Sequence, residues 1–259
     1  MKAKDMLITE KRQSILWLTI NRPGQRNALN PNLMNEMGQA IEDAGHDRTI
    51  RAIVITGAGV KAFCAGADLE SGDSFVLDDA SPTSPFANLL RAAQASTIPL
   101  IARINGACVA GGMGLLAMCD MAIAVDDAVF GLPEVKVGVF PMQVLSVLQR
   151  IIPSRALYEL CYTGELIDAQ EARRLGLLNY VVPSSELDVQ LSWLLSRMTD
   201  KAPLAIRRGR YAMRRIEAMG FEESISLLES QIGLLTLGHE AREGMSAFRE
   251  RRKPVWDKQ

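Results

Sequence analysis

The sequence predicts an α/β fold followed by a layer of helices. Four short runs rich in Ile, Val and Leu, separated by helix-like or turn-rich segments, are typical of buried strands in βα units. These runs span residues 14–20, 52–56, 99–104 and 121–125. With 259 residues, 48% of them hydrophobic, the chain can bury one large core, or one core with a small appended domain.

Capping signals place the first and last helices of the α/β part. Asn30 precedes a proline, and apolar residues then recur at helical spacing, which predicts an N-cap and a helix over residues 31–46. Farther along, Asp168 with Glu171 three residues later has the form of a capping box, and Gly176 has the form of a glycine C-cap. We therefore expect a short helix between Asp168 and Gly176 that closes the α/β part.

The C-terminal part of the chain is predicted to be helical throughout. Strand patterning stops near residue 185, and apolar residues then recur every three or four positions, as they do on amphipathic helices. Four such helices are expected, over residues 191–198, 205–219, 221–235 and 241–251.

The charge balance excludes several classes of partner. The 29 Lys and Arg residues against 30 Asp and Glu residues give a net charge of -1, so no overall basic field points to nucleic acid or to an anionic membrane. The N-terminus lacks a long apolar region, and no stretch of about 18 apolar residues occurs. We predict a soluble cytoplasmic protein with neither nucleic acid nor membrane as a partner.

Cysteine and histidine usage argues against metal and catalytic-triad chemistry. The 4 cysteines show no Cys-x-x-Cys spacing and have apolar or small neighbours, which indicates buried free thiols in a reducing compartment. The two histidines, His46 and His239, are expected at exposed helix ends. The G-x-G-x-x-A string at residues 57–62 matches a dinucleotide fingerprint, but no helical pattern follows it. We predict neither a metal site nor a nicotinamide cofactor.

Two glycine-containing turns, at residues 63–69 and 105–112, carry the strongest chemical signal. Each turn follows an apolar strand-like run, and the second stands at the start of a predicted helix. Two converging backbone N–H groups, one of them at a helix N-terminus, favour a developing negative charge. The sequence therefore predicts an enzyme that stabilises an enolate or a similar anion.

Glu134 is the candidate acid/base group. It follows an apolar strand-like stretch at residues 128–131, and Pro133 disfavours helix for the residue before it, so a new element should start there. A carboxylate against apolar surroundings has a raised pKa and can exchange protons near neutrality. The competing interpretation is a glutamate that only satisfies a helix N-terminus.

Five landmarks follow one another along nearly the whole chain. They are Asn21-Arg22-Pro23 with Asn27-Ala28-Leu29, Ala65-Gly66-Ala67-Asp68-Leu69, Asn105-Gly106 through Gly112, Phe130-Gly131-Leu132-Pro133-Glu134, and Glu243-Gly244-Met245-Ser246-Ala247-Phe248. In this order they resemble the enoyl-CoA hydratase/isomerase (crotonase) superfamily. The resemblance implies a crotonase-like spiral of ββα units over residues 1–195, holding the CoA and oxyanion sites. It also implies that residues 196–259 form a helical layer that builds a homotrimer or a dimer of trimers.

The resemblance also implies roles for individual residues. The N–H groups of Ala67 and Gly111 would hold the thioester oxygen of an acyl-CoA substrate, and Glu134 would move the proton. The residues implied for CoA binding are Arg26, Ala28, Lys61, Ala65, Asp68, Leu69, Phe248 and Lys253. Of these, Arg26 and Lys61 would meet the phosphates, and the C-terminal pair would reach the CoA of a neighbouring subunit. No cofactor beyond the CoA moiety is implied.

One position departs from the best-known hydratases of this family. Those enzymes carry a second glutamate three residues beyond the oxyanion glycine, where this chain has Gly114, and the loop at residues 138–143 also differs. Single-glutamate members include both hydratases and double-bond isomerases. We therefore predict an enoyl-CoA hydratase with a single catalytic glutamate. An isomerase is the alternative, and a non-catalytic acyl-CoA binding protein is the alternative from another class.

The region after Glu134 and one polar segment are candidates for an acyl pocket and its cover. Phe140, Met142 and Leu145 are bulky and adaptable, so they are expected either in this pocket or in the core. The mostly polar, turn-forming segment at residues 71–85 is predicted to be a lid.

Overall fold

The computed structural model describes residues 5–68 and 82–256, and over these ranges it contains ten strands and ten α-helices. The strands are β1 Leu7–Arg12, β2 Ile15–Ile20, β3 Ala52–Gly57, β4 Ala62–Cys64, β5 Leu100–Ile104, β6 Ala107–Val109, β7 Met121–Val125, β8 Val129–Gly131, β9 Leu166–Asp168 and β10 Tyr180–Val182. The helices are α1 Pro31–His46, α2 Pro85–Ala95, α3 Gly111–Met118, α4 Met142–Leu148, α5 Ser154–Thr163, α6 Ala169–Arg174, α7 Leu187–Thr199, α8 Pro203–Ile216, α9 Phe221–Thr236 and α10 His239–Arg249. Three 3₁₀ helices span Pro23–Gln25, Pro133–Val137 and Ser184–Glu186.

The strands form two sheets, which confirms the predicted α/β class. The larger sheet has the order β1-β2-β3-β5-β7-β10, and the smaller has the order β4-β6-β8-β9. The four runs predicted as strands are β2, β3, β5 and β7, which lie side by side and parallel in the larger sheet. Strand β1 was not predicted, because five of its six residues are exposed and it pairs antiparallel at the sheet edge.

The chain alternates between the two sheets in a repeated ββα pattern. Strands β3, β5 and β7 are neighbours in the larger sheet, and the strand that follows each of them, β4, β6 or β8, lies in the smaller sheet. A helical segment follows each such pair: α2, α3, and the 3₁₀ helix at Pro133–Val137 with α4. The parallel partners β4, β6 and β8 therefore end at the same edge of the smaller sheet.

The predicted helix termini are largely confirmed. The Asn30 side chain accepts a hydrogen bond from the Leu33 N–H at 2.9 Å, and α1 covers the predicted residues 31–46. The Asp168 side chain caps α6 by accepting from the Glu171 N–H at 2.8 Å, and Gly176 has a φ of +89° just after the helix. The reciprocal half of the predicted capping box is wrong, because the Glu171 carboxylate binds Arg174 instead.

Arginines of α8 dock the helical layer onto the α/β core. Arg210 is only 6% exposed; its Nε donates to the Asp120 carboxylate at 2.7 Å, and one Nη donates to the carbonyl of Ala93 at 3.0 Å. Arg207 donates to carbonyl oxygens that follow α1, including that of Asp47 at 2.8 Å. The boundary predicted at residue 195 falls within α7, whose apolar face lies in the core.

Several smaller expectations can be compared with the structure. All four cysteines are buried and free, as predicted. His46 ends α1 and His239 begins α10, and both are exposed, as predicted. No helix within residues 5–68 and 82–256 is both long enough and apolar enough to cross a membrane.

Candidate active site

The smaller sheet brings three predicted site residues to one edge. Strand β4 leads into the turn that contains Ala67, β6 leads into Gly111, and β8 leads into Glu134. Because β6 pairs in parallel with both β4 and β8, the three segments leave the sheet side by side. Residues far apart in sequence thus meet at one place.

The two glycine turns are in van der Waals contact. Gly66 has a φ of +89°, and a Cβ built on it would lie 2.6 Å from the Cβ of Ala110 and 3.0 Å from the nitrogen of Gly111. Any side chain at residue 66 would therefore push the turns apart. Ala110 itself adopts a φ of +51°, a conformation that is uncommon for a residue with a side chain.

A parallel bridge between Leu29 and Ala67 orients the first candidate donor. The N–H of Leu29 donates to the carbonyl of Gly66 at 2.7 Å, and the N–H of Asp68 donates to the carbonyl of Leu29 at 2.8 Å. In extended backbone, successive N–H groups point to opposite sides, so the N–H of Ala67 points away from Leu29. The bridge to Leu29 therefore does not use the N–H of Ala67, which keeps it a candidate donor.

The second candidate donor is the first residue of α3. The N–H of Gly111 stands in the first helical turn and has no acceptor four residues earlier within the helix. The loop before it is fixed, since the N–H of Ala110 donates to the carbonyl of Gly131 on β8 at 2.9 Å. The positive end of the helix dipole adds to the attraction of this N–H for an anion. The helix predicted to start at the second glycine turn is confirmed.

Ala67, Gly111 and Glu134 all line one cavity of about 450 Å³. The other walls are mainly apolar, and α1, α2, α4 and the loop after Glu134 contribute to them. Among the described lining residues, the charged ones are Glu134 and Lys136, and Lys136 is paired with Glu165 at 2.8 Å. The site therefore combines two backbone donors, one carboxylate and an apolar enclosure.

Burial raises the pKa of the Glu134 carboxyl above its ordinary value of 4.5. Its Oε2 atom is buried and has no hydrogen-bond partner among the described residues. Burial raises the pKa of the Cys161 thiol to about 11, and the nearby Glu134 carboxylate adds to this rise. Pro133 begins the 3₁₀ helix that carries Glu134, so the predicted new element is confirmed. A partly desolvated carboxyl group of this kind can both accept and return a proton.

The desolvated carboxylate predicts a gain in stability for Glu134→Gln. Between the ordinary pKa of 4.5 and the raised folded-state pKa, the folded protein holds this proton more tightly than the unfolded chain. Stability from this group therefore falls as pH rises through that window. We expect Glu134→Gln to unfold at the same denaturant concentration as wild type below pH 4.5 and at a higher one at neutral pH. The exposed Glu42→Gln is the control, and an unchanged difference across pH would contradict the prediction.

Gly114, the position of the missing second glutamate, is filled by neighbouring side chains. A Cβ built on Gly114 would lie 2.7 Å from Cζ of Phe86 and 3.5 Å from Cγ2 of Val144. Both of these side chains also line the cavity. An aromatic ring and a methyl group therefore stand where a carboxylate would have to enter.

The residues expected to contact CoA lie in different places. Ala65 lines the cavity. Ala28 is buried and directly precedes Leu29, which also lines the cavity. Arg26 and Lys61 are exposed on the surface and do not line the cavity. Leu69 and residues 71–81 of the expected lid lie outside the described residues.

Asp68 has a structural partner instead of an open side chain. It is 6% exposed, and its carboxylate lies 2.6 Å from the guanidinium of Arg22. Arg22 also donates to the carbonyl of Ala28 at 2.6 Å, so this ion pair ties the Ala67 turn to the turn before Leu29.

Phe248 and Lys253 are exposed and far along the chain from this site. Phe248, which is 85% exposed, lines a second cavity with residues of α8, α9, α10 and Trp256. None of the residues around that cavity also lines the cavity of Glu134. Within this single chain, the C-terminal pair therefore stays apart from the candidate active site.

Sequence reasoning identified some of the pocket walls and missed others. Phe140 and Met142 line the cavity, whereas Leu145 packs against the core. Phe86 was missed because it follows the polar segment expected to be a lid. The pair Ser84 and Pro85 was the available signal: Ser84 caps α2, and Pro85 is its first residue. Those two residues place Phe86 in the first turn of a helix.

Comparisons with known proteins identify a family for this chain. Residues 10–259 match the family model described as enoyl-CoA hydratase/isomerase. The chain is 33% identical to the crotonyl-CoA hydratase of Syntrophomonas wolfei, over 97% of each chain. It is 34% identical to the 2,3-dehydroadipyl-CoA hydratase of Escherichia coli, over 96% of this chain and 97% of the relative. Its structure resembles the crystal structure of an enoyl-CoA hydratase from Mycobacterium smegmatis with a TM-score of 0.90 and 31% identity, covering 98% of this chain and 99% of that chain.

Proposed function

Because the chain belongs to the enoyl-CoA hydratase/isomerase family, we propose that it hydrates the double bond of 2-enoyl-CoA thioesters, or catalyses the reverse reaction, with Glu134 as the acid/base. The observation that carries this proposal is the meeting of two backbone donors and one carboxyl group in a single apolar cavity. The donors are the N–H groups of Ala67 and Gly111. This combination suits a reaction that passes through the enolate of a thioester.

In the proposed mechanism, the thioester oxygen accepts hydrogen bonds from both N–H groups. Glu134 takes a proton from water as the water oxygen bonds to C3 of the acyl group. The electron pair of the C2–C3 double bond moves toward the thioester oxygen, where the two donors stabilise the negative charge. Protonation of C2 from the protonated Glu134 completes the addition of water and restores the carboxylate.

Double-bond isomerisation is the second candidate, and the surroundings of Gly114 favour it. Phe86 and Val144 make that side of the cavity apolar, so Glu134 is the one described carboxylate that lines it. One carboxylate suffices to remove a proton from C2 of a 3-enoyl thioester and return it to C4. Water needs to be held for hydration, and here a single carboxylate would have to hold it.

We also propose a homotrimer or a dimer of trimers built through the C-terminal helices. Large apolar side chains are exposed on α9, α10 and the turn between them, including Phe221, Ile232, Leu237 and Phe248. An assembly that covers them could bring Phe248 and Lys253 to the CoA of a neighbouring subunit. Beyond CoA itself no cofactor is proposed, and the expected compartment is the cytoplasm.

Mass spectrometry of CoA esters incubated in heavy water tests the proposed function. The 2-enoyl and 3-enoyl esters are compared with wild type and Glu134→Gln. A water adduct that forms with wild type and is lost in the variant supports a hydratase. Deuterium uptake or a shifted double bond without water addition supports an isomerase instead. Esters that stabilise the protein against heat yet stay unchanged would indicate a non-catalytic binding protein.

A further inference from the structure

We propose that Phe86, seated against Gly114, determines the size of the acyl group that the cavity accepts. The inference rests on the proposed function, since it takes this cavity as the acyl site. Neither residue belongs to the oxyanion donors or the acid/base group. Their contact instead sets how much room lies beside those groups.

Two hydrogen bonds anchor the start of α2, which carries Phe86. Ser84 caps this helix by accepting a hydrogen bond from the Ala87 N–H at 3.2 Å. The Gln143 side chain on α4 donates to the same Ser84 hydroxyl at 2.6 Å, which links α2 to α4. Phe86 is 9% exposed and belongs to the hydrophobic core while also lining the cavity. The ring is therefore a buried part of the cavity wall, carried by an anchored helix start.

Gly114 is the position that makes room for the ring. It lies on α3 three residues after Gly111, so it shares a helix face with the second oxyanion donor. The 2.7 Å separation between a Cβ built on Gly114 and Cζ of Phe86 is shorter than any normal contact. A side chain at residue 114 would have to displace the ring, which borders the cavity.

The same arrangement defines the kind of acyl group. Phe86 and Val144 contact the Gly114 position from two other helices, so the part of the wall that they form is apolar. An apolar acyl chain fits such a wall, and its length or branching is limited by the ring. A difference of one methylene in an apolar pocket typically changes kcat/KM by about 10- to 200-fold.

The test is kcat/KM for straight-chain 2-enoyl-CoA esters of four, six, eight and ten carbons. The variants are Phe86→Ala, the milder Phe86→Leu, Gly114→Ala and the double variant Phe86→Ala/Gly114→Ala. We expect both Phe86 variants to raise the ratio of the ten-carbon to the four-carbon ester, by about tenfold or more for Phe86→Ala. Gly114→Ala should lower this ratio. In the Phe86→Ala background, Gly114→Ala should leave the ratio unchanged, because the ring it displaces is gone.

A control and a binding assay separate this inference from the proposed function. Gly45→Ala on α1 meets no atom within 4 Å of its new Cβ, so it should leave the ratio at the wild-type value. Kd values for saturated acyl-CoA esters of the same four lengths report acyl fit without turnover. If wild type converts no enoyl ester, the proposed function fails while the Kd series still tests Phe86.

Three results would overturn the inference. One is a folded Phe86→Ala protein whose length ratio, in kcat/KM or in Kd, stays within about twofold of wild type. Another is an equal effect of Gly114→Ala on the length ratio in the wild-type and the Phe86→Ala backgrounds. Failure of every saturated ester to bind would overturn both the inference and the proposed function.

Discussion

Glu134→Gln is expected to lower kcat by about 100- to 10,000-fold while leaving the affinity for CoA esters nearly unchanged. Glutamine keeps the size and most of the polarity of glutamate, so the shape of the cavity persists. Glutamine cannot accept a proton from water or from C2. Among the described residues that line the cavity, the charged ones are Glu134 and Lys136. Lys136 already pairs with Glu165.

The measurement is single-turnover conversion of a 2-enoyl-CoA ester, with Kd determined separately by titration. Glu42→Gln, an exposed change of the same kind on α1, serves as the matched control and should retain wild-type rates. Activity of Glu134→Gln within about tenfold of wild type would remove this residue from the chemistry.

Gly66→Ala is expected to lower kcat by about 100- to 1,000-fold, comparable to the loss of one oxyanion donor. The new Cβ would lie 2.6 Å from the Cβ of Ala110 and 3.0 Å from the nitrogen of Gly111. The two turns must then separate, so the N–H groups of Ala67 and Gly111 can no longer both donate to the thioester oxygen. KM should change less than kcat, because the charge on the oxygen develops mainly in the transition state.

A matched glycine separates this effect from simple loss of stability. Gly176 has the same φ of +89°, but a Cβ built there would meet only the carbonyl oxygen of Ile151 at 3.6 Å. Placing alanine in this left-handed conformation costs about 1–2 kcal/mol of stability at either position. Gly176→Ala should therefore lower the unfolding temperature while kcat remains near wild type. Equal losses of kcat in both variants would contradict the account of the glycine turns.

The sequence was sufficient for the elements that have strong local signals. Asn30 and the proline after it defined α1, because a capping side chain and a fixed φ act within one turn of helix. The buried parallel strands were equally visible as apolar runs. Of the three-residue strands in the smaller sheet, β8 matched the strand-like stretch at residues 128–131. Strand β1 and strands β4, β6 and β9 were not visible, since pairing with other strands creates them and their own composition does not.

In the candidate site, too, residues with local signals were predicted and contacts that depend on tertiary packing were not. Glu134 and the glycine turns were predicted from motifs, since each occupies a position that its own strand and turn determine. The contact of Phe86 with Gly114 could not be predicted, because α2 and α3 are brought together only by the packing of the whole core. Likewise, the ion pair of Arg22 with Asp68 joins two turns whose proximity depends on the bridge between Leu29 and Ala67.

The most direct test of the central claim is a crystal structure of Glu134→Gln with a bound 2-enoyl-CoA ester. The account predicts a thioester oxygen about 2.7–3.1 Å from the backbone nitrogens of both Ala67 and Gly111. It also predicts the side chain of residue 134 beside C2 and C3, with the acyl chain against Phe86. A thioester oxygen bound away from these two N–H groups, or an acyl chain outside the cavity of Glu134, would contradict it.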